Sequence, residues 1–286
     1  MKPTVVKIEP DMLRETLNSL LKSKRTMEVP TTNQYERFRL KCNKGTIVGY
    51  MSGKIVATGQ SSEALLQDTI RRMDFVDAKH GLTIGSDEAG KGEWLGPLTV
   101  SAVGLTSNQA TELRALGVMD SKDVSPNRIA ELAQDIEDHC EAMYTVLISP
   151  STFNDRFEEL HREGKDLNDL LAWAHAKAIS EVYKLLKPSE DSEFRVVVDE
   201  FSRLKTKIRL DRVLDLDSFE LVQKPRAEDV ISVAAASIIA KDAREDWIES
   251  ASERIGIDLR SLNPKEALKR DDLNQFAKTS YLRKRN

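Results

Sequence analysis

Cysteine is nearly absent from this 286-residue chain: Cys42 and Cys140 are its only two, and they lie far apart. So few thiols at that spacing exclude a disulfide framework and a cysteine-ligated zinc site; the expectation is two reduced thiols in a cytoplasmic protein. Histidine does not take their place, because His80, His139, His161 and His175 are scattered. No apolar run approaches the roughly 18 residues of a membrane span, and the opening Met1-Lys2-Pro3 does not read as a signal peptide. Internal repeats and low-complexity tracts are missing as well. Nor is the chain basic overall, with a net charge of −4. That balance alone argues against nucleic acid, but it is uneven. Residues 1–80 carry 14 Lys and Arg against 9 Asp and Glu, while the remainder carries 29 against 38. A basic first part suits phosphate contacts, and an acidic second part suits metal ligands.

What is present concentrates in residues 84–103. Asp87 and Glu88 follow a short apolar stretch, and behind them come Gly90, Gly92, Gly96 and Pro97 before a second apolar run. A strand ending in acid, then a glycine-rich bend, sets negative charge beside a backbone that a bulky polyanion can approach. Carboxylates repel phosphate unless a divalent cation lies between them, so metal-assisted phosphodiester chemistry is the first expectation. Commoner glycine motifs fail. A dinucleotide fingerprint needs G-x-G-x-x-G leading into a helix, whereas residues 98–105 read as a strand. A P-loop needs Ser or Thr after its Gly-Lys, and Lys91 is followed by Gly92. On glycine spacing alone, a β-hairpin with a wide turn and two exposed acids remains open.

The chain divides near residue 80. In the first part, residues 9–24 place Met12, Leu13, Leu17, Leu20 and Leu21 on one helical face. Strand-like stretches follow at 35–41, 45–50 and 54–58, with turns at Asn43-Lys44-Gly45 and Ser52-Gly53. Ser61 and Ser62 before Glu63 open a helix running through Met73. The second part reads as strands at 82–87, 97–105, 142–148 and 195–199 separated by helices at 126–139 and 165–186, an α/β arrangement around a mixed sheet. His175 falls within the second of those helices and reads as structural. Phe194-Arg-Val-Val-Val198 reads as a buried strand, so Asp199 emerges where its apolar run stops. An acid there terminates a strand as readily as it binds a metal. Glu200 is the weaker ligand, because neighbours on an extended chain point to opposite sides.

The segment 84–103 resembles the first signature of the type 2 ribonuclease H superfamily, and the whole chain is similar to the ribonuclease HIII family. Further matching blocks follow in order: Gly117-Val-Met-Asp-Ser-Lys122, Asn154 to His175, Val196-Val-Val-Asp-Glu-Phe201, and Ala227-Glu-Asp with Ala-Ala-Ala-Ser-Ile-Ile-Ala-Lys241. Together they cover most of residues 82–245. The resemblance implies a ribonuclease H-like mixed sheet flanked by helices over 81–286, with a helical C-terminal extension. A small α+β domain resembling a TATA-binding-protein repeat would occupy 1–80 and grip substrate. There Arg37, Arg39, Lys41, Lys44 and Lys54 are candidate phosphate contacts.

The implied activity is cleavage of the RNA strand of RNA–DNA hybrids. Asp87, Glu88, Asp199 and Glu228 would be the catalytic, metal-ligating acids, with Asp229 open as an alternative to Glu228 because the stretch beyond it is one residue shorter than the family pattern. Four carboxylates suit two Mg²⁺ or Mn²⁺ ions about 4 Å apart, one activating water and the other stabilising the departing oxygen. Products would carry 5′-phosphate and 3′-hydroxyl ends. Gly90, Lys91 and Gly92 are expected to read the ribose 2′-hydroxyl through the backbone. Asp120-Ser121-Lys122 is expected to hold phosphate, with Ser237 adding a contact or merely starting a helix. The basic tail, 281–286, reads as a frayed terminus before it reads as a substrate contact. Lys91 is a departure: the sister HII type has Gly-Arg-Gly here and incises at single ribonucleotides, so that activity stays open. A non-catalytic hybrid-binding protein is the alternative of another class. A monomer is the default expectation.

Overall fold

The computed structural model describes residues 3–23, 25–73, 81–119, 121–122, 124–187, 194–214 and 219–283. Asp120, the stretch 74–80 leading to the expected domain boundary, and the last three tail residues lie outside them.

Period-two alternation builds the first sheet. Strand β3 (Glu36–Cys42) buries Phe38, Leu40 and Cys42 and turns Arg37 and Lys41 to solvent. It joins β1 (Thr4–Lys7), β2 (Thr26–Val29), β4 (Gly45–Tyr50) and β5 (Lys54–Thr58) in an antiparallel sheet of order β1-β5-β4-β3-β2. Helices α1 (Leu13–Leu21) and α2 (Gln60–Ile70) supply Leu20, Leu66 and Ile70 to a core completed by Phe38, Leu40, Ile47 and Ile55. The three expected strands are present. The sequence reading lacked β1 and β2, whose four residues are too few to display a period. Helix α2 begins at Gln60, so Ser61 and Ser62 lie in its first turn instead of preceding it.

The second sheet is mixed, in the order β10-β9-β6-β7-β8. Strands β6 (Leu82–Ala89), β7 (Leu98–Thr106) and β8 (Ala142–Ile148) are antiparallel neighbours, while β9 (Phe194–Asp199) and β10 (Glu220–Lys224) run parallel to β6. Between β7 and β8 lie α3 (Ser107–Leu116) and α4 (Pro126–His139), and between β8 and β9 lie α5 (Pro150–Arg162) and α6 (Leu167–Leu186). Helix α7 (Arg203–Asp211) follows β9. After β10 come the long α8 (Ile231–Ile255), then α9 (Pro264–Ala267) and α10 (Thr279–Arg283). Helix α6 starts at Leu167 because the Asp166 side chain caps it, accepting the Asn168 N–H while Asp169 returns a bond to the Asp166 N–H.

Helices α6 and α8 cover opposite faces of this sheet. One core joins Ile84, Val196 and Val198 to Leu171, Ala174 and Ala178 of α6; another joins Val103 and Leu105 to Ala234, Ala235 and Ile238 of α8. Gly85 permits the second contact, since a Cβ there would stand 2.2 Å from the Ser232 carbonyl carbon. The result carries the ends of β6 and β9 between two rigid helices.

Candidate active site

Parallel pairing aligns Ser86 of β6 with Val198 of β9, so Asp87 and Asp199 come next on adjacent strands and share a face. That face looks toward α8. Asp87 accepts a hydrogen bond from Ser237, whose hydroxyl lies 2.9 Å from that of Ser121. Asp199 Oδ1 accepts the Ala227 N–H at 3.2 Å, and the Arg226 N–H is aimed at the same carboxyl. Arg226 takes a left-handed conformation (φ 58°), which turns consecutive N–H groups onto one anion.

Glu88, one residue on, points to the α6 side. Strand β6 extends through Ala89, so the two acids stand within the strand and diverge, instead of sharing the bend beyond it. On that side His175 Nε2 donates to Glu88 Oε2 at 3.2 Å, and His175 Nδ1 lies 2.8 Å from Ser86 Oγ. Phe201 stacks on the imidazole with ring centres 5.0 Å apart. Lys91 Nζ sits 3.0 Å from Glu88 Oε1 and 5.4 Å from the Phe201 ring centre.

The electrostatics follow from this crowding. Burial, then the charges of Glu88 and Asp199, push the Asp87 carboxyl well above its ordinary range against the Ser237 bond. Asp199 is also raised, first by burial and then, against the Ala227 N–H, by Glu228 and Glu88. Glu88 goes the other way: burial raises it, but His175 and Lys91 together hold it at about 2. Glu228 is nearly buried and pairs with Lys122 at 3.2 Å. Asp229 is more exposed and pairs with Lys224 at 2.7 Å. Of the two alternatives, Glu228 is therefore the one carried toward Asp199.

Four oxygen-donor carboxylates, with Asp87 and Asp199 raised by burial and by neighbouring acids, fit a hard divalent cation in their chemistry. Among the described residues, however, no three His, Cys, Asp or Glu side chains converge closely enough to hold one. The geometry gives the reason: Glu88 is drawn to Lys91 and His175 on one face, and Glu228 to Lys122 on the other.

The expected substrate contacts divide. Gly90, Gly92 and Gly96 all adopt left-handed φ, and Lys91 and Gly92 are exposed. Ser121 and Ser237 are buried and face each other, with Lys241 Nζ donating to the Ser121 carbonyl at 3.1 Å. Ser237 lies inside α8, so it does not start a helix; its hydroxyl serves Asp87. In the first sheet Arg39 is committed to Glu36, at 2.6 and 3.0 Å, and leaves Arg37 and Lys41 as the exposed cations of β3. A cleft of about 530 Å³ separates that sheet from the acids, lined by Lys7, Ser52, Arg114, Lys122, Arg226 and Glu228. Arg114 ties its two walls, donating to the carbonyls of Lys7 and Asp229.

Phe201 and the Arg226–Ala227 backbone carry no site signal in the sequence pattern, and His175, which reads as structural there, bonds Glu88. The signal for His175 was a lone ionisable side chain on the apolar face of α6, where burial demands polar partners.

Comparison with known proteins decides the family. The model of the Ribonuclease HII family matches residues 84–263, more than half of the chain. Ribonuclease HIII of Protochlamydia amoebophila is 33% identical over 91% of this chain and 84% of its own length. The chain belongs to the ribonuclease HIII family. Ribonuclease HIII of Chlamydia pneumoniae is 32% identical over 78% of this chain and 74% of its own. The crystal structure of Bst-RNase HIII in complex with Mn²⁺ superposes with a TM-score of 0.63 at 22% identity, covering 99% of this chain and 98% of that one. This likeness shows the shared fold, including the preceding antiparallel sheet. As a ribonuclease HIII family member the chain is a nuclease and hydrolase.

Proposed function

We propose that this protein is a metal-dependent endoribonuclease that cleaves the RNA strand of RNA–DNA hybrids, leaving 5′-phosphate and 3′-hydroxyl ends. The observation that carries the reading is that Asp87 within β6 and Asp199 at the end of β9 follow an aligned pair on adjacent parallel strands, both with raised carboxyl pKa. Buried like charges at a strand end are costly unless a cation shares them. Asp87, Glu88, Asp199 and Glu228 would hold Mg²⁺ or Mn²⁺ as a two-ion site, and the ions would supply an activated water and charge stabilisation at the departing oxygen.

The chain's own groups prepare that site. Ala227 fixes Asp199 Oδ1 through its backbone N–H, and the Arg226 N–H supports the same carboxyl. Ser237 orients Asp87 from α8, and the Ser121 hydroxyl backs Ser237. His175 holds Glu88 from α6. The Gly90-Lys91-Gly92 segment directly follows the strand that carries the acids, with Lys91 and Gly92 exposed, which supports reading of a 2′-hydroxyl by its backbone. Lys122, four-fifths exposed beside Glu228, and the Arg37 and Lys41 face of β3 support contacts with the phosphate backbone. We assign residues 1–80 to that grip and 81–286 to catalysis.

The test compares wild type and Asp199→Asn on an all-RNA strand paired with DNA and on DNA carrying one ribonucleotide, with Mg²⁺ or Mn²⁺. Metal-dependent cutting of the first duplex, lost in the variant, is the expected result. Cutting of the second as well would assign Lys91 a junction-reading role. A folded protein that cuts neither overturns the proposal.

A further inference from the structure

Helix α3 is the joint between the two sheets. Its Ala115 has no exposed surface and belongs to the apolar core of the first sheet, while Val5 of β1 packs in return on the core that α3 shares with α4 and α8. Arg71, at the end of α2, clasps Glu112 of α3 through two nitrogens, both at 2.6 Å. These contacts dock one half of the chain on the other.

Arg114 of the same helix reaches further. It is buried, and its guanidinium donates from one terminal nitrogen to the Lys7 carbonyl at 3.3 Å and from the other to the Asp229 carbonyl at 3.4 Å. Lys7 closes β1, in register with Lys54 of β5. Asp229 closes a 3₁₀ turn, Ala227–Asp229, with two duties at the acids: its first N–H bonds Asp199, and its middle residue is Glu228. Ala227 and Val230 seat the ends of this turn in an apolar cluster, so polar contacts set the Glu228–Asp229 stretch between them. Lys224 meets the Asp229 carboxylate and Lys122 the Glu228 carboxylate, each with more than a third of its side chain in solvent. Arg114 is the buried donor.

We infer that Arg114 is a positioning residue for Glu228: one guanidinium spans the first sheet and the acid-bearing turn and holds that carboxylate where it can share a cation with Asp199. The inference rests on the proposed place of Glu228 among the metal ligands. A guanidinium is planar and always charged, so two carbonyls bonded to its terminal nitrogens keep a set separation. An ammonium, a point charge with rotating donors, imposes none. A charged donor bonds a carbonyl about twice as strongly as a neutral one does. Buried, it leaves a large cost if either bond opens, so the end of β1, α3 and the Glu228 turn keep one arrangement. The Arg71–Glu112 pair joins the same two halves from a more exposed position and serves as the comparison.

The test compares wild type, Arg114→Lys, Lys224→Gln and Arg71→Gln. Melting temperature is followed against Mn²⁺ without nucleic acid, hybrid affinity is measured in Ca²⁺, and cleavage is measured in Mn²⁺. In Arg114→Lys the Mn²⁺ midpoint of the stabilisation should move up about tenfold and kcat should fall about tenfold, with KM and hybrid affinity within about twofold of wild type. Lys224→Gln and Arg71→Gln should keep the wild-type midpoint within about twofold. A folded Arg114→Lys that takes up Mn²⁺ as wild type does, or that loses hybrid affinity alone, overturns the inference and leaves the nuclease assignment intact. Where Arg114→Lys does not fold, the two surface variants decide: a tenfold shift in either assigns the turn to Lys224 or to general docking of the halves, and overturns the inference. A folded wild type that cuts no hybrid overturns the nuclease assignment, and this inference with it.

Discussion

His175 Nε2 and Glu88 Oε2 are 3.2 Å apart, and the histidine that makes this bond has no exposed surface. An ionised carboxylate only accepts, so the proton on Nε2 belongs to this contact. Ser86 fixes the ring through Nδ1 and Phe201 stacks on its face. The imidazole therefore acts on the site through Glu88 and not on substrate.

Replacing His175 with Gln should separate these duties. The amide cannot span Ser86 and Glu88 together, so Glu88 loses its fixed orientation. We expect cleavage to fall by about 10- to 100-fold, the usual cost of removing a partner behind a ligand, with hybrid binding retained. Rates over a Mn²⁺ titration check this: the deficit should shrink as metal rises. An unchanged metal dependence would return His175 to a packing role.

Asp199→Asn should abolish cleavage without weakening the fold. Burial and the nearby acids raise the Asp199 carboxyl, so at neutral pH its charge costs the folded state free energy. Asparagine keeps an oxygen for the Ala227 N–H and removes the charge. The melting temperature in chelator should hold or rise. A marked drop would mean that the charge itself anchors the Arg226–Ala227 turn.

Much of this arrangement was legible in the chain, and the reasons are local. Apolar runs bounded β6, β7, β8 and β9 to within two residues, because buried strands in a covered sheet are continuous and bulky. Helix α4 was bounded by Pro126 at its start. What could not be read was direction. The opposite-sides argument that demoted Glu200 applies equally to Glu88, and only the length of β6 reveals it. The meeting of the buried Ser121 and Ser237 hydroxyls was not legible, because sequence does not show that two segments 116 residues apart close on each other. Strand β10 escaped because Glu-Leu-Val-Gln-Lys is a short edge strand with no apolar period.

Glu36 should govern acid stability of the first sheet. Its hydrogen bond with Arg39, opposed by burial and aided by Thr32, holds the carboxyl at about 2. A depressed folded pKa contributes stability that is complete above the unfolded value near 4.5 and is lost as pH falls toward 2. Melting temperature against pH should show that loss in wild type. Glu36→Gln should melt lower at pH 7 and respond less over the same interval. Parallel curves for the two proteins would assign the acid transition to other groups.

Lys122 offers a test of the cleft as the path of the phosphate backbone. Its side chain is 77% exposed although its ammonium reaches Glu228 at 3.2 Å. The lysine end of this pair is solvated and adds little stability, so Lys122→Ala should melt within about 0.5 kcal/mol of wild type. If the ammonium meets a phosphate, binding releases one counterion fewer without it. The plot of log affinity for hybrid against log salt should then flatten by roughly one unit, with a similar loss for every sequence tested. Measured in Ca²⁺ to prevent turnover, an unchanged slope would place the phosphate track elsewhere and leave Lys122 as the counter-ion of Glu228 alone.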